Sequence, residues 1–360
     1  MRAAAGLRRL LSSSAAASHP RVRVTRGADG VVQVTLARAD KLNALDMDMF
    51  RQIRDAAQSL IGDTSAKAVV VHGEGRAFCA GLDVKSIMSP LQAMSNQREL
   101  LDRPDGAASN LAQDVGYLWR RVPCPVIAAI HGVCFGGGFQ IALGADIRIA
   151  SQRARFSIME AKWGLIPDMS ATVTLPELVP RDVALELTLT GRVFAADEAR
   201  RLGLVTRLVG DDGAAVATAA AERDDAAAPL EEAMRLARQI ASKASPDAAA
   251  GAKRLLHAAY TTQAADDARL LGIETELQRR LIGGWNQVAS ASRGLGAPAF
   301  LQPAFRDRAA GWSEEADERA EAELLSMLEG GSAGAAGGAA AEEGGAAAGS
   351  GAGSASAAGR

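Results

Sequence analysis

Two glycine-bearing turns carry residue types that could do chemistry in this sequence. The first covers residues 77–84 (AFCAGLDV) and closely follows a strand-like run that ends at His72. The second covers residues 131–140 (HGVCFGGGFQ), follows a strand-like run that ends at Ile130 and contains three successive glycines. Glycines at such a turn let a ligand approach the backbone closely, and a helix that starts there presents unpaired N–H groups. A turn of this kind can bind a phosphate or stabilise an oxyanion.

The glycine spacing narrows the choice of ligand. It matches neither GxGxxG nor GxxxxGK[ST], so a dinucleotide or nucleoside triphosphate site fits poorly. Taken alone, the glycine triplet is equally consistent with a tightly packed turn between a strand and a helix.

Short β-branched runs alternate with helical periodicity in the middle of the chain. Strands are predicted at 31–36, 66–72, 126–130, 147–150 and 205–209. Helices are predicted at 111–120, 183–189 and 195–202, and another follows Asp46 and Asp48, with apolar residues at every third or fourth position. Acidic residues at a helix start favour the positive end of its dipole. This alternation indicates an α/β fold with a parallel sheet and helices packed outside it.

The domain organisation follows from changes in composition along the chain. Residues 21–210 carry the strand–helix alternation, and helical periodicity dominates residues 211–295, with breaks near Pro246 and Thr261. Residues 296–329 are expected to be partly helical. Residues 330–360 are almost entirely Gly, Ala, Ser and Glu, and we expect them to be disordered because they cannot bury enough apolar surface.

Residues 1–20 have the composition of a transit peptide, being rich in Arg, Ser and Ala and free of acids. Mitochondrial import is our first prediction and plastid import the second; a merely disordered N-terminus is the simpler alternative.

Composition excludes several classes of protein. With 40 Lys+Arg against 42 Asp+Glu, the net charge of −2 argues against a protein that holds nucleic acid by its phosphates. No apolar stretch is long enough to predict a membrane span. Three scattered cysteines, without CxxC spacing, are expected to be reduced and buried, and no metal site is predicted.

Five stretches together resemble the crotonase superfamily of enoyl-CoA hydratases and isomerases, over residues 22–278. They are KLNAL at 41–45, AFCAGLDV, PVIAAIHGVCFGGGFQIALGADIRIAS, FSIMEAKWGLIPD and LTGRVFAADEARRLGLVTRLV. One departure is Ala39, where the family usually has proline. The resemblance implies a spiral of ββα turns followed by helices that assemble trimers, often stacked in pairs as hexamers.

The resemblance also implies an acyl-CoA thioester as substrate, so coenzyme A belongs to the substrate and no separate cofactor is expected. By motif position, the backbone N–H groups of Ala80 and Gly137 would hold the thioester oxygen, stabilising an enolate as it forms. Substrate-binding positions are implied at Lys41, Asn43, Ala44, Leu45, Gly81, Leu82, Asp83, Gly136 and Gln140.

The acidic residues at the motif positions indicate which reaction of the family is expected. Family hydratases use two glutamates; here the first position holds Gln140, whose amide transfers no proton at neutral pH, and the second holds Glu160. Asp168 lies where hydratases usually have glycine, which is similar to the Δ3,5-Δ2,4-dienoyl-CoA isomerases, although these usually carry aspartate at the position of Gln140. Glu160 and Asp168 are therefore the candidate catalytic acids, and burial is expected to raise at least one of their pKa values.

Three functions remain open at this point. The first is isomerisation of a 3,5-dienoyl-CoA in fatty-acid β-oxidation, the second is hydration of a 2-enoyl-CoA, and the third is a non-catalytic CoA-binding subunit. Asp168 could also serve only as a turn or helix-capping residue. Gln140 could bond a backbone group or a neighbouring carboxylate and merely shape the pocket.

Overall fold

The computed structural model describes residues 20–210, 219–244 and 246–260, together with single positions between 271 and 298. The predicted transit peptide up to residue 19, nearly all of the segment 296–329 and the tail 330–360 lie outside the described residues.

The described residues alternate between strands and helices up to Val209 and are helical beyond it. The strands are β1 (Val22–Arg26), β2 (Val31–Leu36), β3 (Ala68–Gly73), β4 (Val126–Ile130), β5 (Val133–Phe135), β6 (Ile147–Ser151), β7 (Arg155–Ser157), β8 (Phe194–Ala195) and β9 (Arg207–Val209). The α-helices are α1 (Met47–Ile61), α2 (Val84–Ile87), α3 (Ala93–Leu101), α4 (Leu111–Arg121), α5 (Gly137–Leu143), α6 (Ala171–Thr174), α7 (Arg181–Thr190), α8 (Ala196–Arg201), α9 (Ala219–Lys243) and α10 (Pro246–Tyr260). Short 3₁₀ helices cover Ala39–Lys41, Glu160–Trp163 and Leu175–Glu177.

Two sheets form the framework. The larger has the strand order β1-β2-β3-β4-β6-β9, and the smaller has the order β5-β7-β8. In the larger sheet β1 pairs antiparallel with β2, and the other neighbours run parallel. The prediction of a parallel sheet is therefore confirmed. The small sheet was not predicted, because strands of two or three residues are too short to show a period.

The larger sheet is buried on both faces, as its apolar strands require. On one face Val34, Val69 and Val71 join the main core, to which α1 and α4 contribute their apolar sides. On the other face Val70 and Ile127 pack with a stripe of α9 that includes Ala233, Met234 and Ala237. The helical region after the last strand thus completes the core of the sheet.

Local sequence signals position the helix ends. The Asp46 side chain accepts a hydrogen bond from the Met49 N–H group at 2.9 Å and caps α1, as the acids before this helix predicted. Asn110 and Gln113 form a reciprocal capping box at the start of α4. The break between α9 and α10 falls just before Pro246, where the sequence predicts it. In the part of the chain that the structure describes, no helix is long and apolar enough to cross a membrane.

Candidate active site

The two glycine turns lie side by side. Cys79 and Cys134 form an isolated parallel β-bridge between them. The Cys79 N–H group donates to the Val133 carbonyl at 3.2 Å, and the Phe135 N–H group donates to the Cys79 carbonyl at 3.0 Å. Both thiols are fully buried and unpaired by disulfide, as predicted. Two turns that are far apart in the sequence are therefore adjacent in the structure.

Glycine is required where these turns come closest. Gly81 has a φ of +90°, and a Cβ added there would lie 2.8 Å from the Phe135 carbonyl oxygen and 3.6 Å from the Gly137 nitrogen. Gly137 is the first residue of α5, so its N–H group has no carbonyl partner within the helix. The backbone at Gly81 therefore lies close to the Gly137 N–H group.

The hydrogen bonds of the first turn argue against Ala80 as an oxyanion donor. The Ala80 N–H group already donates to the Leu42 carbonyl at 2.9 Å. By contrast, among the described residues no acceptor pairs with the N–H group of Leu82 or of Gly137. Both residues line one cavity. Two residues that line this cavity, Leu82 and Gly137, therefore have N–H groups that are unpaired among the described residues.

Both predicted acids line the same cavity of about 140 Å³ as these donors. Glu160 begins the short helix Glu160–Trp163, and Asp168 lies in the loop before α6. Each acid is 9% exposed. Gly136 faces Glu160, because a Cβ added at Gly136 would lie 3.5 Å from Glu160 Oε1. The tertiary structure thus assembles a buried pair of acids beside a pair of N–H groups.

The environment of Glu160 favours its protonated form. Burial, opposed by hydrogen bonds from backbone groups and from Gln140, raises the pKa of Glu160 to about 7. Its Oε1 accepts a hydrogen bond from Gln140 Nε2 at 2.6 Å. Its Oε2 is buried and has no hydrogen-bond partner among the described residues. The expectation that at least one acid has a raised pKa is confirmed, and Glu160 can both accept and release a proton near neutral pH.

Gln140 bonds a carboxylate and a backbone group at once. Besides its bond to Glu160, its Oε1 accepts from the Met169 N–H group at 2.9 Å. The residue is 2% exposed, so its amide is used within the protein. This agrees with the interpretation that Gln140 shapes the pocket, and it argues against direct binding of substrate by this side chain.

Several implied substrate-binding positions have structural roles. Asn43 is fully buried; its amide donates to three backbone carbonyls between Glu74 and Phe78, and its Oδ1 accepts from the Arg38 N–H group at 2.8 Å. Asp83 caps α2 and forms an ion pair with Arg38 at 2.7 Å. These contacts argue against Asn43 and Asp83 as direct ligands of a substrate.

The remaining implied positions flank the turns. Leu45 is buried, and its N–H group donates to the Gly81 carbonyl at 2.8 Å, which ties the 41–45 segment to the first turn. Lys41 is exposed and Ala44 half-buried. Gly81, Leu82 and Gly136 line the cavity.

Several further residues line the cavity and were not predicted from the sequence. They are Phe50, Val84, Ala112, Leu165, Met169 and Gln278. They come from α1, α2, α4, the loop around the acids and the C-terminal helical region. Most are apolar, and ordinary core residues have the same types, so no local signal marks them as pocket residues.

Comparison with known proteins agrees with this geometry. Residues 26–282 match the profile of the family described as "Enoyl-CoA hydratase/isomerase". A solved enoyl-CoA hydratase from Mycobacterium avium subsp. paratuberculosis K-10 is 27% identical, with a TM-score of 0.61 over 77% of this chain and 99% of that one. The chain therefore belongs to the enoyl-CoA hydratase/isomerase family, and the predicted crotonase fold is confirmed.

Individual relatives carry different names. The probable enoyl-CoA hydratase EchA12 of Mycobacterium tuberculosis is 37% identical over 51% of this chain and 63% of its own length. The mitochondrial Delta(3,5)-Delta(2,4)-dienoyl-CoA isomerase of Mus musculus is 33% identical over 64% of this chain and 67% of its own length. The chain thus spans less than two thirds of the length of the first of these relatives.

Proposed function

We propose that this protein is an acyl-CoA isomerase that converts a 3,5-dienoyl-CoA into the 2,4-dienoyl-CoA. The observation that carries the proposal is the presence of two buried acids, Glu160 and Asp168, in one cavity with Leu82 and Gly137, whose N–H groups are unpaired in the described part of the chain. An isomerisation that moves a proton between distant carbons needs a base and an acid at separate places. The mouse relative named as such an isomerase supports the same reaction.

The proposed chemistry transfers one proton at each end of a conjugated system. C2–H of the substrate is acidic because it is α to the thioester and also allylic. Ionised Glu160 takes this proton, and the electrons spread over both double bonds into an extended enolate whose oxygen accepts hydrogen bonds from Leu82 and Gly137. Asp168 then delivers a proton to C6. The proton gained by Glu160 returns through water to Asp168, so that no net acid or base is consumed.

Leu82 replaces Ala80 in this scheme for a geometric reason. An oxyanion donor has to be unpaired before the substrate binds, and the Ala80 N–H group is held by Leu42. Removing one donor of this type generally costs about 3–4 kcal/mol of transition-state stabilisation.

Hydration of a 2-enoyl-CoA is the second candidate, because the mycobacterial relative is named a probable enoyl-CoA hydratase. Against it, the position of the first hydratase glutamate holds Gln140, which is already bonded to Glu160 and Met169. An amide neither activates nor protonates water.

One side-by-side assay tests the proposal. Wild type, Glu160→Gln and Asp168→Asn are compared on 3,5-dienoyl and 2-enoyl thioesters of several chain lengths, with product followed by ultraviolet absorbance. We expect the wild type to form the 2,4-diene and each variant to lose on the order of 10²-fold or more in kcat. Faster hydration than isomerisation by the wild type would replace this proposal with the hydratase.

We also propose import into mitochondria and assembly into trimers or pairs of trimers. The composition of residues 1–20 and the mitochondrial location in the name of the mouse relative support the first. Fluorescent tagging of the full chain tests the import. Light scattering of the purified protein measures the molar mass of the assembly.

A further inference from the structure

Gln140 connects the two candidate acids through a single side chain. Its Nε2 donates to Glu160 Oε1 at 2.6 Å, and its Oε1 accepts from the N–H group of Met169, the residue after Asp168, at 2.9 Å. The orientation of the amide is dictated by chemistry, because a backbone N–H group can only donate and an ionised carboxylate can only accept. The neutral amide therefore satisfies both neighbours at this position.

We propose that Gln140 is a positioning residue that holds Glu160 Oε1 and the backbone after Asp168 in place, so that Glu160 Oε2 alone exchanges the proton with the substrate. This inference rests on the proposed proton transfer by Glu160. Oε2 is buried and has no partner among the described residues, whereas Oε1 is occupied by the amide. Position 140 therefore determines which oxygen reacts and how readily Glu160 ionises.

The charged groups around Glu160 leave the effect of Gln140 on the pKa of Glu160 measurable. Asp168 shares the cavity, and Asp83, which lies between the cavity-lining Leu82 and Val84, is paired with Arg38. The short helix of Glu160 also carries the exposed Lys162. Helix α5, which carries Gln140, has no ionisable side chain. Helix α7 packs against the short helix, and its ionisable residues are the exposed Arg181, Asp182 and Glu186. The bond from Gln140 is thus the influence on the pKa of Glu160 that Gln140→Met would remove, while burial and the backbone hydrogen bonds would remain.

Substitutions at position 140 separate the two bonds. Gln140→Met has similar volume but can neither donate to Glu160 nor accept well from Met169. Gln140→Glu keeps an acceptor for the Met169 N–H group but places a second carboxylate against Glu160, so that the two would share one proton. Gln152→Met is the matched control, because the Gln152 amide donates to the Gly210 carbonyl in an exposed bond.

The test is a pH titration of Glu160 in the unliganded full chain. The band of its protonated carboxyl group is followed by infrared difference spectroscopy and assigned by its loss in Glu160→Gln. We expect the midpoint to rise by about 0.5–1 pH unit in Gln140→Met, through loss of a donor to the ionised form, and by more in Gln140→Glu. Gln152→Met should match the wild type.

Kinetics provide the second readout. If the wild type isomerises a dienoyl-CoA, its kcat should rise with pH along one limb of the profile. In Gln140→Met this limb should shift to higher pH by the same amount as the spectroscopic midpoint, while KM changes little. The titration needs no substrate, so a wild type without isomerase activity would overturn the proposed function and leave this measurement intact. A midpoint that is unchanged in folded Gln140→Met overturns the inference about Gln140. If Gln140→Met does not fold, an unchanged midpoint in Gln140→Glu overturns it instead.

Discussion

Glu160 shows how one residue can be costly for the fold and useful for chemistry. A carboxylate removed from water loses hydration energy that hydrogen bonds from Gln140 and from backbone groups replace only in part. The protein therefore raises the pKa of Glu160 to about 7, chiefly through burial. A group with this pKa is partly protonated near neutral pH, which suits a residue that takes up and releases protons.

This raised pKa predicts a dependence of stability on pH. Between the ordinary glutamate pKa of 4.5 and about 7, the folded protein holds a proton on Glu160 that the unfolded chain has released. The free energy of unfolding should therefore fall as pH rises through this range, by about 3 kcal/mol at most from this group. Glu160→Gln should be more stable than the wild type at pH 8 and similar to it at pH 4, as measured by urea unfolding at both values.

A matched substitution on the surface controls this experiment. Glu231 is exposed on α9, so Glu231→Gln should change the unfolding free energy little at either pH. An equal effect of the two substitutions at pH 8 would contradict a burial penalty at Glu160.

At the scale of elements, the turn before α2 positions one of the proposed oxyanion donors. The bond from Leu45 N–H to the Gly81 carbonyl and the bond from Asp83 N–H to the Leu45 carbonyl hold this turn against the 41–45 segment. Arg38 supports the same turn through its ion pair with Asp83. The direction of the Leu82 N–H group thus depends on contacts between three separate segments.

Gly81→Ala should disrupt this turn. The added Cβ would lie 2.8 Å from a backbone oxygen, at a φ of +90° that favours glycine. We expect a loss of about 2–3 kcal/mol in unfolding free energy and a fall in kcat, because Leu82 and Gly137 would move apart. The control is Gly62→Ala, where an added Cβ meets nothing within 4 Å. Thermal unfolding that is equal in the two variants would be inconsistent with this account.

At the scale of the whole molecule, a buried charge cluster joins the C-terminal helices to the sheet. Asp146, just before β6, pairs with Lys253 at 2.7 Å and His257 at 2.9 Å, both on α10. Lys253 also donates to the Trp119 and Cys124 carbonyls. The helical region is thereby attached to the sheet by specific polar bonds as well as by the apolar stripe of α9.

Lys253→Met should weaken this attachment. Removing one partner of a buried ion pair leaves the other charge incompletely compensated, which generally costs about 3–5 kcal/mol. We expect a loss near the lower end of this range, since His257 still bonds Asp146. Lys243→Met, at the exposed end of α9, is the control and should be nearly neutral. Chemical denaturation compares the two.

Motifs led to Gly137, Glu160 and Asp168 because these residues lie within distinctive local spacing. Ala80 was not assigned correctly by its motif position. The sequence does not distinguish the neighbouring N–H groups of one turn, and in the structure the Ala80 N–H group is the one that donates to the Leu42 carbonyl. Asn43 lies within a family motif, yet its amide is used by backbone carbonyls more than 30 residues away.

The sequence by itself determined the alternation of strands and helices, the ends of the main helices and the two acids, because periodicity, capping and motif spacing are local properties. Only the tertiary structure decided that both acids share one cavity, that Gln140 bonds Glu160 and that Leu82 presents the unpaired N–H group. These depend on distances between segments far apart in the chain, and no local pattern encodes such distances.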